Sequence, residues 1–176
     1  VKYDMYLMNL GTMLKLFGSP SDRKKNSHLC HQDLLKQGML TRFEDLPLGS
    51  FVIFISHQWN SFNHPDPNGR QMQVLSKILR DLRDGRYKTE TDPFHVLVYK
   101  DNTITSPKEW KELLTNAYIW YDWFSQPQPS QGTSQEEVAK LKRDLTLALD
   151  SVSAYTERSD TLMILAPSSV HTDLVD

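Results

Sequence analysis

Leu7, Leu10, Leu14 and Phe17 recur at steps of three and four, and this single apolar stripe predicts a helix over 4–17. Gly18-Ser19-Pro20 stops it, and 19–27 reads as a polar loop. A short helix is predicted over 31–37, closed by Gly38. The run FVIFI at 51–55 is apolar, β-branched and aromatic, which suits a strand buried on both faces. A long polar stretch, SHQWNSFNHPDPNG, follows it. Residues 70–84 place Leu75, Ile78, Leu79 and Leu82 on one helical face, with Gly85 just beyond. FHVLVY at 94–99 predicts a second strand, and Ser106-Pro107-Lys108-Glu109 is a helix start. YIWYDWF at 118–124 predicts a third strand. Val138, Leu141, Leu145, Leu149 and Val152 mark one long helix over 136–154, and TLMILA at 161–166 a last strand. Strands alternating with helices predict an α/β fold with a mainly parallel sheet covered on both faces. Such sheets bind ligands beyond the carboxyl ends of their strands.

Composition narrows the class. The 176 residues suffice for one domain with its own core. Lys and Arg number 20 against 22 Asp and Glu, a net charge of −2, which offers no broad electrostatic footprint for nucleic acid or an anionic membrane. No apolar run reaches the ~18 residues of a membrane span, so no membrane insertion is expected. Cys30 is the one cysteine, which excludes an internal disulfide framework and points to an intracellular setting, cytoplasmic or organellar.

Candidate chemistry gathers after the first apolar strand. In Ser56-His57-Gln58-Trp59, Ser56 can bond a ligand, His57 can titrate and Trp59 can stack on a ring. The commoner role of these residue types is to satisfy loop backbone and pack on the core. His64 and Asp66 lie in the proline-stiffened loop HPDPNGR and more often shape a turn; with His57 their spacing matches no standard metal site, and no metal is expected. Arg70, at a helix start, can meet an anion. Asp122 sits in an aromatic strand near its carboxyl end, where it binds a ribose hydroxyl or bonds the next loop. There is no GxGxxG, P-loop, GxSxG or HExxH motif, and Cys30 has no local activator.

In this order the motifs FVIFISHQW, IWYDWFSQPQ and TLMILAP resemble the TIR (Toll/interleukin-1 receptor) domain superfamily, in particular its divergent protist and algal members. The resemblance begins near residue 46. It implies a flavodoxin-like three-layer fold over 46–176, preceded by an N-terminal helical extension over 1–45. It also implies one of two activities. The first is a protein-interaction module acting in signalling by self-association or by docking into a larger complex. Met5, Met8 and Met13 would then give the extension an adaptable contact surface. The second is cleavage of NAD(P) at the nicotinamide–ribose bond, with Ser56, His57, Trp59 and Asp122 near the nucleotide. The family's catalytic glutamate would then lie outside these 176 residues, and no residue here is assigned a catalytic role. Apart from these two, a separate alternative is a non-catalytic accessory structural subunit of a large, even organellar, assembly, with no ligand.

Overall fold

The computed structural model describes residues 1–100, 102–132, 134–168 and 171–174. In chain order the elements are β1 (Tyr6–Asn9), α1 (Leu10–Phe17), α2 (Pro20–Asn26), α3 (His31–Lys36), β2 (Thr41–Arg42), β3 (Phe51–His57), α4 (Arg70–Arg83), β4 (Thr89–Glu90), α5 (Pro93–Tyr99), β5 (Ile104–Thr105), α6 (Pro107–Thr115), β6 (Ala117–Trp120), α7 (Asp122–Ser125), α8 (Gln135–Leu149), α9 (Val152–Glu157) and β7 (Thr161–Leu165). The five-stranded central sheet has the order β2-β1-β6-β3-β7. β3 pairs in parallel with β6 and β7, while β1 is antiparallel to both its neighbours, so every strand except β1 points the same way. The α/β class and the mainly parallel sheet flanked by helices are as the hydrophobic pattern predicts.

β3 shows why a continuous apolar run is needed. Ile53 and Ile55 join the larger core, with α1, α3, α4 and α6 on that face. Val52 and Phe54 point the opposite way, into a smaller core with Trp120 and Tyr155. Both faces of the strand are covered, so neither tolerates a polar residue until Ser56 at its end.

Several elements differ from the sequence pattern, each for a local reason. The predicted helix over 4–17 is a strand, β1, followed by α1. Asn9 caps α1 by accepting from the Gly11 N–H at 2.9 Å, and Met8 and Asn9 pair with β6. The segment 1–45, expected as a helical extension, thus supplies two strands of the central sheet. Met5, Met8 and Met13 are fully buried, which removes them as a contact surface. Ser19-Pro20 starts α2 where a polar loop was expected, with Ser19 accepting from the Asp22 N–H at 3.1 Å. The strand expected at 118–124 ends at Trp120, and Asp122 opens α7 instead of lying in the sheet. The helix expected over 136–154 is divided between α8 and α9 at Asp150-Ser151. There Ser151 Oγ donates to Leu147 O at 2.8 Å and accepts from the Lys2 N–H at 2.8 Å.

The largest difference is 94–99, expected as a strand and found as helix α5. Asp92 accepts from the Phe94 N–H at 2.9 Å and Pro93 takes the first helical position. With its flanking ribbon β4–β5, α5 forms an insert between α4 and α6. No helix among the described residues is long and apolar enough to cross a membrane.

Candidate functional site

β3 and β6 are parallel neighbours, and the segments that follow their carboxyl ends, α4 and α7, both pack on the larger core. The chain reaches the smaller core only later, at α9, through Val152 and Tyr155. α/β sheets bind ligands beyond such carboxyl ends.

Three of the four predicted site residues meet at this point. His57 Nε2 lies 2.8 Å from Asp122 Oδ1, and the Trp59 indole N–H donates to Asp122 Oδ2 at 2.5 Å. The His57 ring stacks on Tyr121 with centroids 4.2 Å apart, and its Nδ1 lies 3.2 Å from the Gln58 carbonyl. The His57 side chain is only 1% exposed. Both its nitrogens therefore face protein acceptors and neither is presented to solvent. The arrangement ties the end of β3 to the start of α7. Trp59 keeps a solvent face, at 37% exposure. Ser56 is brought to none of them: it is exposed and pairs in register with Ile164 of β7, on the opposite face of the sheet from His57.

Beside this clamp, on the α4 side, lies a cleft of about 510 Å³. Its walls are the amino end of α4, the loop 64–69, α2 and the aromatic residues Tyr121, Trp123 and Phe124. His64 fixes the loop. Its Nδ1 accepts the Asp66 N–H at 2.9 Å, which makes it the neutral tautomer, and its ring packs on Trp123 at 4.3 Å. Burial pushes its pKa down, partly offset by a backbone hydrogen bond to Ser27 of the facing wall. Asp66 reaches forward to accept the Met72 N–H at 2.8 Å, capping α4 in place of Gly69, which has no side chain to do so. His57, His64 and Asp66 form no joint site, and no cluster of three metal-ligating side chains occurs among the described residues.

Sequence reasoning missed Arg23, Lys24, Gln71 and Trp123. Gln71 is buried in the first turn of α4 and donates to Gln58 O at 2.7 Å and Pro65 O at 3.0 Å, holding the loop in place. The signal for Arg23 and Lys24 was the Ser19-Pro20 helix start, which turns a basic loop into a rigid wall.

A second feature stands apart from the cleft. The stripe Phe94, Leu97 and Val98 lies on one side of α5, and Phe94, Leu97 and Tyr99 are 72, 77 and 69% exposed. No residue of α5 is buried. Exposed apolar clusters of this kind mark interaction surfaces in soluble proteins.

No protein-family profile, curated protein or solved structure matches this chain.

Proposed function

We propose that this chain is a protein-interaction module, acting by self-association or by docking into a larger assembly through the insert that carries α5. The observation that carries this reading is the apolar stripe Phe94–Leu97–Val98, which faces outward on a capped helix. Steps of three and four are the spacing by which one helix seats in the apolar groove of a partner. A role as an accessory subunit of a larger assembly is the same reading with a fixed partner. The TIR-like motif order supports the same role and adds no observation of its own.

NAD(P) cleavage is the weaker reading. It needs a carboxylate presented to a bound ribose, and Asp122 has one oxygen on His57 and the other on Trp59.

The test compares the wild-type chain with a Phe94→Ser/Leu97→Ser variant by light scattering over a concentration series and by pull-down of partners. The wild type is expected to gain mass or retain a defined partner, and the variant to lose this while melting at the same temperature. Identical behaviour of the two proteins in both assays overturns the reading.

A further inference from the structure

Asp66, which lines the cleft beside α4, has a carboxylate oxygen that the fold leaves unanswered. Asp66 is 6% exposed and spends Oδ2 on the Met72 N–H, while Oδ1 is buried with no donor among the described residues. A buried acceptor without a donor is costly, so a ligand hydroxyl placed here has more to gain than one on the open surface.

The other side of the same cleft favours negative charge. α4 runs for 14 residues and has no acidic residue in its first turn, so its amino-terminal dipole is answered in part by the Asp66 carboxylate that caps it. Arg23 lies alongside: a Cβ on Gly69 would sit 3.6 Å from Arg23 Cδ and Nε. Its Nη1 donates to Phe17 O at 3.1 Å and Gly18 O at 3.3 Å, which fixes the guanidinium while leaving donors for a ligand. Lys24, exposed on the next position of α2, lines the same wall. Arg–phosphate pairing beside a helix amino terminus is a strong anion-binding arrangement. At about 510 Å³ the cleft is within the size range of small-molecule sites.

We propose that this cleft binds a small sugar phosphate, free or as part of a nucleotide. The phosphate meets Arg23, Lys24 and the amino end of α4, and a sugar hydroxyl donates to Asp66 Oδ1. This site goes beyond the interaction role and does not depend on α5.

The test is calorimetric titration of the full chain with inorganic phosphate, ribose 5-phosphate and AMP. Ribose 5-phosphate is expected to bind at least about tenfold tighter than phosphate, one charge-assisted hydrogen bond's worth. Asp66→Asn keeps an acceptor for the Met72 N–H but turns the free position into a donor. It is expected to erase the advantage of ribose 5-phosphate over phosphate, with phosphate itself bound no more weakly than by the wild type, because a competing carboxylate charge is removed. Lys24→Gln, at an exposed position, is expected to weaken all three ligands and provides the test should Asp66→Asn not fold. AMP binding tighter than ribose 5-phosphate supports the site with a nucleotide as its source; equal affinities support it with a free sugar phosphate. Equal affinity for phosphate and ribose 5-phosphate, no loss of ligand binding in Lys24→Gln, or no binding at millimolar ligand overturns the proposal.

Discussion

Asp122 accepts from His57 and Trp59 at once, so its removal leaves two ring N–H groups at a strand end without their acceptor. Asp122→Ala is expected to cost about 1–3 kcal/mol, since the buried His57 ring loses a charged partner. The measurement is the urea midpoint, with the slope unchanged if the cost lies in the folded state. His31 sets the response to acid. Its Nδ1–H donates to Phe124 O at 3.0 Å, its Nε2 lies 3.0 Å from the Tyr3 hydroxyl, and burial favours the neutral ring in the folded state. Burial lowers its pKa from 6.5 to about 4. The unfolded chain therefore binds the proton more readily. The contribution of His31 is fully present above the unfolded value and is lost as pH falls from 6.5 toward 4. The loss is about 3 kcal/mol from that shift. Burial lowers the pKa of His64 as well, which adds to the loss in the same direction. Denaturant unfolding at neutral pH and near pH 4 measures the loss, and His31→Gln is expected to flatten the dependence. An unchanged slope with pH in that variant would assign the acid sensitivity elsewhere.

At the scale of elements, the junction into α4 carries the cleft. Gly69 holds φ +65°, a left-handed conformation that a Cβ makes costly. Gly69→Ala is expected to destabilise by about 1 kcal/mol, and Gly69→Asn by less, read by thermal melting. The elements legible in the sequence are those whose pattern and environment agree. β3 is apolar because both its faces are buried, and α4 is striped because only one of its faces is. Those misread are elements where a short-range signal or a distant partner wins. Over 4–17 the helical stripe is real, but Tyr6–Asn9 gains more from pairing with β2 and β6, partners that local periodicity does not contain. At 94–99 the β-branched run suggests a strand, yet Asp92-Pro93 caps a helix there. The candidate site follows the same division. His57, Trp59 and Asp122 sit at strand ends and were legible from position alone. Arg23 and Lys24 enter through α1 and α2, which reach the cleft only through tertiary packing.

Across the whole molecule, the sheet with its helices and the α5 insert are separable in their physical roles. Gly85 and Pro107, at the two ends of the insert, are in contact: a Cβ on Gly85 would lie 3.4 Å from the Pro107 carbonyl oxygen. A short turn can therefore bridge them without moving α4 or α6. Within the insert, β4 and β5 pair with each other and not with the central sheet. Among the described residues, the Trp110 indole N–H ties it to the body by donating to Thr89 Oγ1 at 3.1 Å. Replacing 88–105 by a short Gly-Ser turn keeps Arg86 on Asp81 and gives up the Thr89 contact, a loss of about 1 kcal/mol. For a chain of this size that lowers the melting temperature by about 2–4 °C. The shortened chain is expected to unfold in one cooperative step, to keep its binding of ribose 5-phosphate and to lose self-association or partner capture. Those three readouts separate the two surfaces. Loss of the cooperative transition would make the insert part of the fold's core, and retained association would move the interaction surface off α5.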